Sequence, residues 1–465
     1  MTPMKEKFEI YKDKYKSNPA WYWLLATVFL FFLLPEYISP FILFAAFIIF
    51  KRQWTKEGRL AKVGNIGKIE MVFMGYMLIS TFWSPTKLDT LGCAGLWWGM
   101  FLIQVMIFNL ARTKERIKKI ITAIVIPAAI NSVIGVIQLV TFVLFKNGLL
   151  KKEQVLITPI YRVLDNYVYG KMPFKILLKF FDSRASGFFS NPNLLASFLL
   201  ASFPLAIYLF LNASTKKSRN WYFVAVFCIC CGMGSTLTRA GLLIIIAAWL
   251  ILFIIFCRKH IGKMLVTAIP TLSSSIPALM IRYGKIIIYP PDVKLPGPDE
   301  ALKSSEAHFT IWKCMIDYIT HNWNVFVFGT GFGCENTGFV LANVYLLNKP
   351  HSHNVIIEIW VELGVIGIAM LAFILVYASG KLLEIDTRSF KALTLVFSLL
   401  VSLGSFFIFG LSDYIFNSPK QIIIFMILLG LIQASSYVYE KHEIRTPSDL
   451  SSLAKSEIDN IVNQD

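Results

Sequence analysis

The feature that most limits how this chain can fold is a succession of about twelve apolar runs. Each is near the ~20 residues that carry a helix through hydrocarbon, or somewhat short of that length. They fall at about 20–34, 38–50, 69–83, 90–110, 118–145, 193–212, 221–238, 240–257, 262–280, 353–378, 391–412 and 419–438. Backbone polar groups find no water inside a bilayer, so such runs are read as helices that close their own hydrogen bonds. Composition agrees: 56% of the 465 residues are hydrophobic and 15% aromatic, more than a water-soluble domain carries. The expected fold is all-α, a polytopic membrane protein of about twelve transmembrane helices. No small-residue cleavage site follows the Lys-rich start, so no cleavable signal peptide is expected.

The formal net charge of +17 is then a topological signal before it is anything else, and no nucleic-acid partner is expected. With both termini cytoplasmic, about twelve crossings put the basic stretches 51–68, 112–119, 216–219, 258–263 and 381–391 on the cytoplasmic side. The opposite side receives two longer segments, about 146–192 and 281–352, both expected to contain amphipathic helices. Residues 1–438 read as one membrane domain and 439–465 as a disordered cytoplasmic tail.

The first long segment is basic although it is external. Lys171, Lys175 and Lys179 recur every four residues beside Phe174, Leu177, Leu178 and Phe181, the pattern of a helix lying on a membrane surface. Such a helix either adheres to anionic headgroups or draws in an anionic lipid-linked substrate. The second segment has helical apolar spacing through Phe309, Trp312, Ile316 and Ile319, then a glycine-rich turn at Gly329, Gly331 and Gly333. No strand leads into that turn, so it is read as tight backbone bending and not as a dinucleotide loop. Four of the six histidines, His308, His321, His351 and His353, lie in this segment or at its end. The seven cysteines show no metal-ligand spacing; a disulfide between Cys314 and Cys334, which share the segment, is left open.

Three constellations stand where apolar runs meet the outer side. Asn354, Glu358 and Glu362 recur at four-residue spacing, forming a polar stripe on an otherwise apolar helix just after His351-Ser352-His353. Ionisable groups so placed face a protein interior or a wet cavity; the stripe alone fits a reaction site and a capped helix entry equally. Arg184 precedes Asn191-Pro192-Asn193, where an asparagine caps the next helix and free N–H groups favour phosphate. Arg239 sits in the tight turn Thr238-Arg239-Ala240-Gly241. Two arginines and a histidine gathered on one face can hold a diphosphate and deprotonate an incoming hydroxyl. His351 and His353 offer only two obvious metal ligands, so no metal is expected.

Arg184 to Asn193, the Thr238–Gly241 turn, and the helix with His353, Asn354, Glu362, Gly364 and Gly367 together resemble the O-antigen ligase and polymerase superfamily. The resemblance covers roughly residues 180–370. It implies a bacterial membrane glycosyltransferase of C-type, all-helical fold, without cofactor or metal, in the inner (cytoplasmic) membrane with its site on the periplasmic face. By the resemblance Arg184 and Arg239 hold the diphosphate of an undecaprenyl-linked glycan donor and His353 activates the acceptor hydroxyl. Members often carry an arginine three residues before an Ile-Trp pair; before Ile311-Trp312 this chain has His308, and Arg282 is the substitute candidate. Asn191, Asn193, Asn354, His308, Arg282 and Glu358 complete the expected substrate-binding set. The favoured activity is O-antigen ligase, with a lipid A-core acceptor. A polymerase would instead take a second lipid-linked repeat, and a flippase of lipid-linked glycans would use a similar cavity without chemistry. No internal repeat and no midplane polar cluster favour the transporter.

Overall fold

The computed structural model describes residues 18–36, 38–149, 183–283 and 298–440. The lysines of residues 1–17, the Lys171–Lys179 repeat and the tail beyond 440 lie outside them. Among the described residues the regular elements are helical and no strand occurs. In chain order they are α1 (Pro19–Phe31), α2 (Ser39–Lys56), α3 (Asn65–Ile79), α4 (Lys87–Leu110), α5 (Lys114–Lys146), α6 (Pro192–Leu211) and α7 (Lys216–Thr236). Then follow α8 (Arg239–Arg282), α9 (Pro298–His321), α10 (Trp323–Phe328), α11 (Cys334–Tyr345), α12 (Val355–Leu383), α13 (Phe390–Gly410) and α14 (Pro419–Glu440).

Each apolar run falls within or largely over a helix. The runs at 240–257 and 262–280 are the two arms of α8, which folds back on itself where His260 leaves helical geometry at φ −142°, ψ 43°; Trp249 Nε1 donates to Thr267 Oγ1 across the arms at 3.0 Å. Among the described residues seven helices (α4, α5, α6, α8, α12, α13 and α14) are long and apolar enough to cross a membrane by length and composition. The remaining runs are helical but shorter or less apolar. All seven cysteines are free, which answers the Cys314–Cys334 question.

Two helices make the centre. Every residue of α6 from Leu194 to Leu211 is buried, as suits a helix apolar on all sides. Beside it, α14 is buried over most of its length. Their joint is polar at one end: Ser197 Oγ donates to Gln421 Oε1 at 2.7 Å, and Gln421 Nε2 donates to the Leu194 carbonyl at 2.7 Å. Around them pack α4, α5, α7, α8 and α13.

The element that shapes the functional end is α12, which is broken. Gly364 adopts φ 67°, ψ −170°, so the helix halts for one residue and restarts. The carbonyls of Val361 and Glu362 therefore need partners from outside the helix. Thr330 N donates to the Val361 carbonyl at 2.7 Å and Gly331 N to that of Glu362 at 2.9 Å. That contact explains the glycine-rich turn. A side chain at Gly329 would meet the Glu362 carbonyl group at 2.3 Å, and one at Gly364 would meet the Val327 carbonyl oxygen at 2.1 Å. Two backbones touch where no Cβ fits.

Candidate active site

Residues 183–191 form a loop that polar side chains of α5 hold in place. Gln138 Oε1 accepts from the N–H groups of Ser186 (3.1 Å) and Gly187 (2.9 Å), and Asn131 Oδ1 accepts from Phe188 N at 2.9 Å. From the other side Lys420 Nζ donates to the Phe188 carbonyl at 2.6 Å. Asn191 ends the loop as the N-cap of α6, its side chain accepting from Leu194 N at 3.0 Å.

This loop delivers Arg184 to the α7–α8 turn. Arg184 Nε donates to the Thr236 carbonyl at 2.9 Å, and Nη2 donates to Asn193 Oδ1 at 2.7 Å and Thr238 Oγ1 at 2.8 Å. The turn itself is tight because Leu237 takes the left-handed conformation at φ 50°. Arg239 follows as the first residue of α8.

The His351–Asn354 turn is built from the other direction. Asn354 caps α12, accepting from Ile356 N at 2.9 Å and Ile357 N at 3.2 Å, while its Nδ2 donates to the Leu411 carbonyl at 3.0 Å. Glu358, fully buried one turn on, accepts the Ser352 N–H at 2.6 Å, and Trp312 Nε1 donates to the Ser352 carbonyl at 2.8 Å. Held at both ends, the turn forces His353 into the left-handed region at φ 56°. A non-glycine residue there is strained, and the surrounding hydrogen bonds maintain it.

His353 Nδ1 lies 2.9 Å from Asp413 Oδ1. With the ring neutral and Nδ1–H donating to the carboxylate, Nε2 is left as a lone-pair acceptor. The other oxygen of Asp413 accepts from Asn193 Nδ2 at 2.8 Å. One line of hydrogen bonds thus runs from Arg184 through Asn193 and Asp413 to His353. Burial works to raise the Asp413 carboxyl, but its bonds from His353 and Asn193 outweigh that and hold it below the ordinary aspartate range. Burial, with the neighbouring cations Arg282 and Arg239 and against the pull of Asp413, lowers Arg184 to about 10. It stays charged at neutral pH in a site with more cations than anions.

The two histidines of the turn have different environments. His351 Nδ1 accepts the backbone N–H of His353 at 3.3 Å. Burial, and then the neighbouring His353, push His351 down to about 4, so it is neutral and structural in its bonding. His308 stacks on His353, ring centroids 4.5 Å apart and planes within 5°. Burial first, then His353, lowers His308 as well.

A cavity of about 440 Å³ opens at this corner. Arg184, Asn193, Arg239, Arg282, His308 and His353 line it, so six of the nine residues singled out in the sequence come together. Phe309, Trp312, Leu243 and Phe409 supply an apolar wall. Asn191, Asn354 and Glu358 do not line it; they cap α6, cap α12 and brace the His351–Asn354 turn. Asp413 was not anticipated. Its one sequence signal is an acid in the short turn between the last two apolar runs, on the same side as His353.

Among the described residues two clusters have metal-ligand geometry, His351 with His353 and Asp413, and Cys334 with Glu358 and Glu362. In each the ligand atoms lie within 4.8 Å of one another. Sequence spacing had offered only the two histidines; the fold supplies the third group.

A family model described as O-antigen ligase matches residues 223–372. That stretch holds Arg239, Arg282, His308 and His353 and includes the Gly364 break. No curated protein matches the chain.

Proposed function

From the premise that residues 223–372 put this chain in the O-antigen ligase and polymerase superfamily, we propose that it is a glycosyltransferase working at a membrane surface. It takes a glycan from undecaprenyl diphosphate and joins it to an acceptor hydroxyl at the outer face of the cytoplasmic membrane. The observation that carries this reading is the Asn193–Asp413–His353 chain opening on an arginine-lined cavity. A carrier of lipid-linked glycans has use for the arginines but none for a histidine oriented by a carboxylate.

In the proposed reaction His353 Nε2 takes the proton of the acceptor hydroxyl as its oxygen attacks the anomeric carbon of the donor sugar. The bond from that carbon to the phosphate oxygen breaks, and undecaprenyl diphosphate leaves with the bonding pair. Arg184, Arg239 and Arg282 stand where that added charge develops, and fixed charged donors there lower the barrier. Asp413 holds the imidazole in the tautomer that accepts at Nε2 and stabilises the imidazolium that forms. Leu243, Ala240 and Phe409 offer the polyprenyl tail an apolar exit beside the diphosphate. His353, Arg184 and Arg239 are the proposed catalytic residues; Asn193, His308 and Arg282 are the proposed substrate contacts.

Ligase is the favoured member of the pair, with lipid A-core as the acceptor. The test is transfer by the purified protein from an undecaprenyl-diphosphate glycan, offered lipid A-core in one reaction and only lipid-linked repeats in another. A ligase labels lipid A-core; a polymerase lengthens the lipid-linked chain instead. Donor binding with neither product would oppose a transferase.

A further inference from the structure

A second cationic cavity lies at the far end of the bundle. From Lys420, beside the Arg184 loop, α14 runs to Tyr437; at ~1.5 Å per residue that is about 25 Å. There a cavity of about 1150 Å³ opens between the 58–62 loop, the α4–α5 turn and the end of α14. Arg59, Lys62, Arg112 and Lys114 line it, against one lining carboxylate, Glu115.

Arg112 is its built part. Its guanidinium carbon sits 4.3 Å from the Phe108 ring centroid and 4.1 Å from that of Tyr437. Two aromatic faces therefore fix the plane of the fork. Its Nη1 is buried, yet it has no hydrogen-bond partner. A buried charged donor without an acceptor is costly, and an anion in the cavity would supply one. Beside it α5 begins. Thr113 caps the helix, accepting from Arg116 N at 3.2 Å, and the first N–H groups of a long helix favour a negative ligand. The loop bearing Lys62 is fixed by a reciprocal pair, Lys62 N to Asn109 Oδ1 at 3.0 Å and Asn109 Nδ2 to the Lys62 carbonyl at 2.8 Å. The cavity is rimmed by aromatic side chains suited to a membrane interface, Trp54 and Tyr437, with Lys114 over the neighbouring Tyr439 ring.

We propose that this cavity binds the phosphate of an anionic phospholipid headgroup, at the end of the bundle opposite the candidate active site. Arg112 engages the phosphate through its plane-fixed fork, Lys62 and Lys114 add charge, and the aromatic rim sets the depth. The assignment is independent of the transfer reaction.

The test uses the full chain in neutral detergent, followed by thermal unfolding and native mass spectrometry. Phosphatidylglycerol, phosphatidylcholine and inorganic phosphate are titrated separately. The proposal expects phosphatidylglycerol to raise the unfolding temperature and remain bound, phosphatidylcholine to do so far less, and inorganic phosphate to compete only weakly. Arg112→Gln should weaken phosphatidylglycerol about tenfold or more, and Lys216→Gln, a basic change outside the cavity, should not. If the Arg112 variant does not fold, the Lys62→Gln/Lys114→Gln variant, altered at two exposed side chains, serves in its place. Wild-type affinity for phosphatidylglycerol in both variants overturns the site. Inorganic phosphate reproducing the whole shift, with no advantage for the lipid, overturns the lipid assignment.

Discussion

The two ends of this bundle are both basic, and they are built on different plans. At the Arg184 end one cation heads a chain of hydrogen-bonded partners: Arg184 on Asn193 and Thr238, Asn193 on Asp413, Asp413 on His353. At the Arg112 end the guanidinium is held by ring faces, and no histidine is among the residues that line the cavity. Positive charge alone distinguishes neither end. What separates the proposed reaction site from the proposed binding site is the carboxylate–histidine pair and the strained backbone that presents it. A substitution should therefore disturb transfer at one end and lipid binding at the other.

The largest effect is expected at Asp413. Asp413→Asn keeps shape but removes the charge that fixes the His353 tautomer, so transfer should fall by about 10²–10⁴-fold. The rate should drop with little change in donor affinity. An unchanged rate in the Asn variant would erase the distinction between the two ends.

Next come Arg184→Lys and Arg239→Lys, which keep charge and lose the planar fork. Loss of an oriented donor at a developing charge costs ~2–4 kcal/mol, or about a hundredfold in rate. Transfer assays at matched protein levels decide this, and near wild-type turnover in both would argue against direct phosphate contact. Arg112→Gln, by contrast, should leave the transfer rate within about twofold while weakening phosphatidylglycerol.

Smaller and purely structural is the Gly364→Ala change. At φ 67° and with the Val327 carbonyl in the way, it should cost on the order of 3 kcal/mol or more of stability. Denaturation in detergent measures this, and a stability equal to wild type would mean that the break in α12 is not needed.

The smallest effect is a pH dependence. The His351 pKa is about 4 in the fold, below the ordinary value of 6.5, so below that ordinary value the unfolded chain binds a proton that the folded chain does not. Its contribution is present above the ordinary value and is lost as pH falls toward 4, at most on the order of 3 kcal/mol. His351→Asn should flatten that part of the stability profile; an unchanged slope would place the acid sensitivity elsewhere.

Much of this was legible in the sequence because it was periodic or local. Apolar runs marked the helices, and the Asn191 and Asn354 caps followed from residue type beside a helical run. Arg184, Arg239 and His353 stand out in the sequence because each lies where a run ends, and the fold brings them to one cavity. Asp413 was missed because it sits 60 residues from His353 in a short turn after Leu411, and only three-dimensional packing brings them together. Asn193 was found as a cap candidate, yet Asn191 does the capping, which frees Asn193 to link Arg184 to Asp413. Glu358 and Glu362 read in the sequence as a stripe facing a protein interior or a wet cavity, and the fold gives the interior. In the fold they are buried beneath the His351–Asn354 turn, where Glu358 braces the Ser352 N–H. The break at Gly364 was hidden inside an unbroken apolar run, since a helix halted for one residue leaves hydropathy unchanged.

The central claim is that His353, oriented by Asp413, is the base, while His351 only supports the turn. The measurement is donor binding and glycan transfer, made separately on purified His353→Ala and His351→Ala. The account predicts that His353→Ala binds the lipid-linked donor and transfers nothing, whereas His351→Ala transfers at a reduced rate. Normal turnover by His353→Ala, or loss of transfer confined to His351→Ala, would contradict it.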